Sequence, residues 1–330
     1  MKKIFKEIAG YDLKTPFDVM KYSDAVARFG CDKPDRRYGM EMQDLSQDLA
    51  KSGFNVFKGA ISSGGIVKGF TLKKPKEMPR SRIDSLTEFV KSAGLGGLCY
   101  FKQEAKELSG PAIKFLSDDE KKLIEKKMNS SSGDYILLLA GDPALVNDTL
   151  NRLRAKLARE EALIKKGIYD LLWVTDFPLL KYNTEEKRWE SEHHPFTAPN
   201  EEDAKYLESD IGKIRARSYD LVLNGVELGS GSIRIHQSQM QDKIFKTIGI
   251  SKEEADERFG FLTEALSFGA PPHGGFAAGL DRLVAILCGC DSIREVIAFP
   301  KTQRAISPLS KAPSSVSKKQ LDELGLELKE

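Results

Sequence analysis

The sequence predicts a mixed fold of α-helices and β-strands, and three features support this prediction. Short apolar runs of strand length recur along the chain, for example at residues 65–72 and 135–140. A longer stretch with apolar residues at helical spacing follows at residues 143–164. Polar loops such as residues 129–133 separate the two kinds of segment. Periodicity alone therefore indicates both α and β structure.

The predicted elements fall into three stretches of the chain. Residues 1–50 hold two short helices, followed by a polar turn that contains Pro34. A block that alternates strands with helices begins near Asn55. In the last stretch a buried strand begins at Asp170, and further β-type segments indicate an antiparallel sheet rather than a doubly wound one. The predicted helices span residues 4–9, 22–29, 81–92, 117–128, 143–164 and 279–287, and the predicted strands include residues 65–72, 97–101, 135–140, 219–223 and 232–235.

Composition and charge argue against several classes of protein. The chain has 330 residues, enough for two domains or for one domain with a large insertion. It carries 51 Lys and Arg against 49 Asp and Glu, so its net charge of +2 gives no basic field that would indicate nucleic-acid binding. No apolar run is long enough to span a membrane and we find no signal peptide, so we expect a cytoplasmic protein.

The cysteines and histidines do not predict a metal site. Four cysteines are scattered along the chain, and Cys288 and Cys290 are closer together than the usual pair of metal ligands. We therefore expect reduced, partly buried thiols rather than a zinc site. His193 and His194 are adjacent, and adjacent residues rarely turn both rings toward one ion.

A run of small residues before the last predicted helix is a candidate nucleotide site. From Gly274 the sequence reads Gly-Gly-Phe-Ala-Ala-Gly-Leu-Asp-Arg-Leu. Glycines let the backbone approach a ligand closely, and a helix N-terminus presents free N–H groups and a partial positive charge to phosphate. Arg282 adds a planar cation that can pair with phosphate oxygens or stack on a base. The alternative is a turn that only packs, because such turns are common before helices.

Two further motifs precede this run, and together the three give the chain a family resemblance. One is the His-His-Pro-Phe-Thr loop that begins at His193, and the other is the segment 224–236, which contains Glu227 and Arg234. With residues 28–35 and 293–302, they closely resemble the C-terminal half of the catalytic domain of bacterial-type aspartyl-tRNA synthetases, a class II family. The segment from Gly279 to Arg282 matches motif 3 of that class.

The resemblance refines the predicted fold and implies a domain organisation. It implies an α+β fold with a partial class II antiparallel sheet flanked by helices. An α/β insertion similar to the GAD domain of that family interrupts it. Residues 1–53 and 167–330 would form the two parts of the catalytic domain, the second with motif 3, and residues 54–166 would form the insertion. In the family an OB-fold anticodon-binding domain and motifs 1 and 2 come first, and no segment here matches them.

The resemblance implies aspartate–tRNA ligase activity, in which ATP activates aspartate and the aspartyl group passes to tRNA-Asp. Whether tRNA-Asn is also a partner is left open. Because motif 2 clamps the α-phosphate in the family, we expect a partial enzyme that needs a complementary N-terminal half. Motif 1 carries the usual dimer interface, so a homodimer is not expected. The alternative is a catalytically inactive fragment or paralogue that binds aspartate, an adenylate or a partner protein.

For the nucleotide, the resemblance assigns binding residues and no catalytic nucleophile. The reaction needs positioning and charge neutralisation rather than a covalent enzyme intermediate. ATP is expected as a substrate with Mg²⁺, without a prosthetic group, and Glu227 matches the residue that holds Mg²⁺ through ATP. The ATP-binding positions are Gly279, Leu280, Asp281 and Arg282. Glu227 could instead be an exposed strand glutamate, but its flanking glycines favour a surface left open for a ligand.

For aspartate, the resemblance assigns His193 and Arg234. A guanidinium pairs with a carboxylate through two parallel hydrogen bonds, and with the neutral amide of asparagine its charge would be left uncompensated. His193 matches the family's aspartate-contacting position, and we expect His194 to shape the loop. The alternative for Arg234 is a surface arginine bonded to a neighbouring strand. His273, near the nucleotide turn, is a candidate without an assigned role.

Overall fold

The computed structural model describes residues 1–329, in which two five-stranded sheets and one hairpin are flanked by helices. The strands are β1 (Asp18–Lys21), β2 (Gln43–Asp44), β3 (Ile66–Leu72), β4 (Cys99–Gln103), β5 (Leu108–Ser109), β6 (Tyr135–Gly141), β7 (Leu171–Thr175), β8 (Leu180–Asn183), β9 (Arg188–Ser191), β10 (Ser218–Leu223), β11 (Val226–Ile233) and β12 (Gly274–Ala278). The α-helices are α1 (Lys2–Ala9), α2 (Tyr22–Phe29), α3 (Asn55–Ser62), α4 (Arg80–Ser92), α5 (Asp118–Lys127), α6 (Pro143–Glu160), α7 (Ser238–Thr247), α8 (Lys252–Ser267), α9 (Leu280–Cys288) and α10 (Lys318–Glu323). Short 3₁₀ helices span Ile113–Phe115, Glu201–Glu208, Ile211–Lys213 and Ile293–Glu295.

The first sheet has the strand order β1-β7-β10-β11-β12 and is mostly antiparallel. β1 and β7 pair in parallel, whereas each later pair in the sheet is antiparallel. β1 precedes the second sheet in the chain and the other four strands of the first sheet follow it. The first sheet is therefore built from segments on both sides of the second unit, which consists of the second sheet and the helices α3 to α6 packed on it. The predicted α+β fold with an antiparallel sheet flanked by helices is confirmed.

Helices cover the two faces of the first sheet to different extents. α1 and α9 lie over one face, where Phe5 and Leu283 are buried with apolar residues of β10 and β11. α2 lies over the other face, where Phe29 packs against Val174 and Val222. This second apolar cluster draws on β1, β7 and β10 but not on β11. The β11 end of that face therefore carries polar side chains, and these form the candidate site.

The second sheet has the strand order β2-β3-β6-β4-β5 and is antiparallel throughout. Phe70 and Leu137 pack against α4 and α6 on one face. Phe101 and Leu138 pack against α3 and α5 on the other. Because both faces of β3 and β6 are covered, β6 is an almost continuous apolar run, and in β3 the polar Lys68 and Thr71 are buried as well.

Several elements were not predicted, and the long helix ends earlier than expected. The missed elements include α3, the β8–β9 hairpin, α7 and α8. α8 has a weak periodic signal because Ala255 and Leu266 are its buried residues. The helix predicted over residues 143–164 ends at Glu160, and Ala162 has a left-handed φ of 54°. None of the helices within residues 1–329 has both the length and the apolar character needed to cross a membrane.

Candidate functional site

A β-bulge sets the direction of Glu227 at the start of β11. Asp220 pairs with Ser230 and Val222 pairs with Glu227, and the register shifts between Leu221 and Val222. Residues paired across two strands share a face, and successive residues alternate between faces. The shift therefore places Glu227 on the same face as Asp220, whereas regular pairing would have turned it to the opposite face.

Asp220, which the sequence analysis did not single out, is a buried acid in this site. Its residue is 2% exposed, and burial together with the nearby charge of Glu227 raises the pKa of its carboxyl above the usual range. Within the described residues its Oδ1 has no hydrogen-bond partner. A charged residue inside the apolar run of β10 was the available signal, because Asp is rarely buried without a specific partner.

Lys33 approaches this carboxylate pair from the loop after α2. Its Nζ lies 2.6 Å from Oδ2 of Asp32 and 3.6 Å from Oε2 of Glu227. Burial alone would lower the pKa of Lys33, but the bond to Asp32 and the charges of Asp32 and Glu227 raise it overall. The site thus contains a cation between Asp32 of its own loop and Glu227 of β11, and the sequence motifs gave Lys33 no role.

The nucleotide turn predicted from sequence lies directly beside Glu227. Arg282 donates from Nη1 to the backbone carbonyl of Glu227 at 2.8 Å, and the same atom lies 3.7 Å from Oε1 of that side chain. The N–H of Gly279 donates to the carbonyl of Leu228 at 2.7 Å. α9 begins at Leu280, which is 68% exposed, with Asp281 in its first turn. The structure therefore brings the predicted metal residue and the four predicted ATP-binding residues together.

The physical reason given for the glycines of this region was wrong. A Cβ on Gly229 would lie 2.5 Å from Cζ of Phe276, and one on Gly231 would lie 2.1 Å from the carbonyl of Gly275. These two glycines are needed for close pairing with β12 rather than for an open ligand surface. The Gly274–Ala278 run is likewise a strand, not a turn.

Arg234 follows the end of β11 and contacts the second histidine of the His-His loop. Its backbone N–H donates to the carbonyl of His273 at 2.9 Å. Its Nη1 contacts both ring nitrogens of His194, with Nδ1 at 2.9 Å. The same Nδ1 accepts from the N–H of Phe196 at 3.2 Å, so His194 also holds the turn of its loop. Burial and the charge of Arg234 lower the pKa of His194 to about 4, and its ring is therefore neutral near pH 7.

His193 lies on the same side of the site but does not contact Arg234. Its ring is exposed and packs edge-on against Phe177, with 5.1 Å between ring centroids. His193 makes a minor contribution that opposes the net rise in the pKa of Asp220, which places the two residues within electrostatic reach. His193 thus lies against Phe177 and within electrostatic reach of the buried acid.

The two predicted subsites lie at opposite ends of β11. Glu227 and Arg234 are seven residues apart, which corresponds to about 20 Å along a strand. A cavity of ≈ 220 Å³ borders Arg234 and is also lined by Arg217 and Glu201. A ligand that touches both ends of β11 must therefore be extended along the sheet.

The described residues offer a pair of carboxylates rather than a complete protein metal cage. In residues 1–329, no group of three or more His, Cys, Asp or Glu side chains is arranged to hold a metal ion. Mg²⁺, however, usually binds through one or two carboxylates and completes its shell with phosphate oxygens and water. The shared face of Asp220 and Glu227, with the unpartnered Oδ1 of Asp220, fits that mode of binding.

The mostly antiparallel sheet and the turn before α9 agree with what the class II resemblance predicted. Residues 1–303 match the family described as tRNA synthetases class II (D, K and N), and the chain belongs to that family. Within it, the chain is similar to aspartate–tRNA ligases. The Aspartate–tRNA(Asp/Asn) ligase of Thermoanaerobacter sp. (strain X514) is 49% identical over 99% of this chain and 55% of its own length. The Aspartate–tRNA ligase of Clostridium botulinum (strain Loch Maree / Type A3) is 48% identical over 99% and 55%.

The match covers only part of each relative's length, and similarity to a solved synthetase structure is low. The chain spans about half the length of the curated relatives it matches. The solved aspartyl tRNA synthetase from Entamoeba histolytica is 16% identical, with a TM-score of 0.35 over 93% of this chain and 36% of that one. The assignment to the family therefore rests on the sequence match over residues 1–303.

Proposed function

We propose that this chain is part of an ATP-dependent aspartate–tRNA ligase and carries aspartate and nucleotide contacts of that enzyme. The observation that carries the proposal is the polar face at β11. At the start of that strand Glu227 lies beside Arg282 and on the same face as Asp220 of β10, and just after its end Arg234 contacts a neutral imidazole. The family match and the 49% identity to an aspartate–tRNA ligase support the same activity.

ATP with Mg²⁺ is proposed to bind at the start of β11. Glu227 and Asp220 would share the ion with phosphate oxygens, and the ion would neutralise the charge that builds up on the phosphates. Arg282 would pair with phosphate or stack on the base, next to the free N–H groups at the start of α9. Gly279, Leu280 and Asp281 form the adjoining turn and would contact the nucleotide through its backbone.

Aspartate is proposed to bind at the far end of β11, between His193 and Arg234. The guanidinium of Arg234 contacts neutral His194 instead of a carboxylate, so its positive charge remains available for a substrate side chain. An aspartate carboxylate would satisfy this charge bidentately. Asparagine would leave it uncompensated, which gives the site its selectivity.

Transfer to tRNA is proposed to need the further portion that the relatives contain. β12 is an edge strand whose residues are all exposed, and Phe276 on it is 44% exposed. Phe261 of α8 and Phe268 just after it, which precede β12 in the chain, are 78% and 82% exposed. An open sheet edge with apolar surface favours a partner segment. A complementary N-terminal segment, in the same chain or in a separate polypeptide, would cover this sheet edge.

The domain division and the tRNA partners belong to the same proposal. Residues 1–53 and 167–330 would form the two parts of the catalytic domain, and residues 54–166 a GAD-like insertion. β2 and the buried Leu45 and Leu49 already pack with the second sheet, so its core extends a few residues before that boundary. tRNA-Asp would be the acceptor, and tRNA-Asn a second one if the activity follows the name of the Thermoanaerobacter relative, an aspartate–tRNA(Asp/Asn) ligase.

Charging of tRNA-Asp tests the proposal. The purified chain is assayed alone and with a fragment of a relative that ends at motif 2. We expect charging only in the mixture, because the motif 2 clamp on the α-phosphate that the fragment supplies contributes on the order of 10²–10³-fold. Failure of the mixture, with each fragment shown to be folded and to associate, would count against the ligase assignment. Robust charging by the chain alone would show that its own residues clamp the phosphate.

A further inference from the structure

Arg154 is a buried cation that joins the second unit to the loop beside the candidate site. It lies within α6, its residue is 0% exposed, and its guanidinium is directed at the loop after α2. Nε donates to the carbonyl of Met40 at 2.7 Å, and Nη2 donates to the carbonyls of Gly39 at 2.6 Å and Asp35 at 3.3 Å. One side chain therefore holds three backbone carbonyls of a single loop.

Two aromatic rings complete the surroundings of this guanidinium. Its Cζ lies 5.0 Å from the ring centroids of both Phe29 and Tyr38. The carboxylate of Asp35 is occupied by Arg37, so Arg154 is held by carbonyls and rings rather than by an ion pair. Burying a charge without an ionic partner is costly, and an apolar side chain would fill the same space more cheaply. Arg154 therefore contributes hydrogen bonds to the loop that an apolar side chain at this position of α6 could not make.

The loop that Arg154 holds reaches the candidate site on its other side. Lys33, in the same loop, lies 3.6 Å from the carboxylate of Glu227. Asp35 packs closely against the β10–β11 turn, because a Cβ added to Gly225 would lie 3.0 Å from the Cβ of Asp35. The loop is thus confined between α6 and the turn that precedes Glu227.

The helix before the loop is anchored to the same unit. Lys68 of β3 donates from Nζ to the carbonyl of Val26 at 3.0 Å and to Oδ1 of Asn147 at 2.6 Å. A Cβ on Gly30 would lie 2.4 Å from the carbonyl of Asn147, so α2 meets α6 backbone to backbone. Both ends of the loop are therefore fixed by the second sheet and its helix.

We propose that Arg154 is a positioning residue, through which the second unit sets residues 31–40 so that Lys33 faces Glu227 at the nucleotide end of β11. Its effect on ligand binding rests on the proposed function, whereas its hold on the loop does not. A substitution of Arg154 should therefore alter the site although Arg154 contacts no ligand. It should do so by changing the position of Lys33 relative to Glu227.

The test without ligand uses Arg154→Met, which keeps the side-chain stem, and the control Arg152→Met, which removes an exposed arginine from the same helix. We expect faster amide exchange across residues 31–40 and a shifted amide resonance for Glu227 in Arg154→Met only. The Glu227 shift should be absent when Arg154→Met is introduced into Lys33→Met. Unchanged exchange, or a Glu227 shift that persists without Lys33, would overturn the proposal. If Arg154→Met does not fold, Tyr38→Leu loosens the same guanidinium and is measured identically.

The test with ligand is a double-mutant cycle on binding of 5′-O-(aspartylsulfamoyl)adenosine with Mg²⁺. Arg154→Met and Lys33→Met should each weaken binding roughly tenfold, and the double variant should be no weaker than Lys33→Met alone. Additive losses would show that Arg154 does not act through Lys33. Absence of binding by the unmodified chain would contradict the proposed function. The exchange and resonance measurements would still decide the role of Arg154.

Discussion

The two sheets of this chain bury their faces in different ways. The second sheet is apolar on both faces, with α4 and α6 over one and α3 and α5 over the other. In the first sheet, the apolar cluster under α2 does not reach β11, where Asp220 and Glu227 share an uncovered face. The second sheet thus packs apolar cores on both faces, whereas the first sheet combines two apolar clusters with the polar β11 face. Substitutions of apolar core residues in the second sheet should change stability, and those on the β11 face should change binding.

The largest expected effect is on the stability of the second sheet. Phe101→Ala removes a fully buried ring that packs among residues of α3 and α5. It should lower the free energy of unfolding by about 3–5 kcal/mol, from lost burial and the cavity left behind. Urea unfolding measures this loss, and calorimetry below the transition should find an unchanged ATP affinity. A folded variant with tenfold weaker ATP binding would show that the core of the second sheet also affects the nucleotide site.

At the amino-acid end of β11, Arg234→Ala should selectively weaken aspartate use. Loss of a charged, bidentate contact costs about 1.5–3 kcal/mol, which is at least a tenfold loss of affinity for the aspartyl group. Arg217→Ala is the matched control, because Arg217 lines the same cavity but bonds to Glu201. Pyrophosphate exchange in the complemented enzyme reports both substrates. An unchanged apparent affinity for aspartate would refute the role of Arg234.

At the nucleotide end, Glu227→Gln should remove much of the Mg²⁺ dependence of ATP binding. The substitution keeps the shape of the side chain but removes the charge that attracts the ion, so roughly a tenfold loss is expected in the presence of Mg²⁺. Titration of ATP with and without Mg²⁺ measures it, with the exposed Glu202→Gln as control. An identical Mg²⁺ dependence in the variant would mean that Glu227 is only a strand residue.

A smaller effect is expected for Arg282→Ala, whose side chain is half exposed. ATP affinity should fall several-fold while the melting temperature stays within a degree or two of the parent, because a surface substitution seldom costs much stability. Arg294→Ala on the following 3₁₀ helix serves as the control. The opposite result, lower thermal stability with normal ATP affinity, would show that Arg282 only ties α9 to β11.

The smallest expected effect is a pH dependence from His194. Its pKa of about 4 in the folded chain lies below the 6.5 of an unperturbed histidine, so between these values the unfolded chain binds the extra proton. Stability should therefore fall as the pH drops from about 6.5 toward 4, and His194→Gln should reduce that fall. Urea midpoints at pH 7 and pH 5 measure the difference. Equal pH dependence in both proteins would contradict the neutral state of His194.

The sequence supported the strands and the motifs better than it supported their geometry. β3, β6 and α9 carry strong local signals and lie within a few residues of their predicted bounds. α8 buries too little apolar surface for its spacing to show. Asp220 was missed because the charged groups near it, such as Glu227 and Lys33, come from another strand and a loop. The bulge that aligns it with Glu227 is likewise a matter of pairing between strands, which one strand's sequence does not reveal.

The same limit applies to the contacts between the two units. Arg154 reads as an ordinary helical arginine, and its bonds to residues 35–40 join positions more than a hundred residues apart. The glycines of β11 were misinterpreted for a related reason, since the neighbour that excludes a side chain at Gly231 is β12. The sequence predicted which residue types the site contains. Which neighbours those residues contact became known only from the three-dimensional structure.

The central claim is that the β11 face binds an aspartyl group at one end and a nucleotide at the other. Calorimetric titration of the chain with 5′-O-(aspartylsulfamoyl)adenosine and with its asparaginyl counterpart tests it most directly. We predict measurable binding of the aspartyl compound, and at least about tenfold weaker binding of the asparaginyl one, because the charge of Arg234 would then be unpaired. Equal affinity for the two compounds, or no binding of either by the folded chain, would contradict the claim.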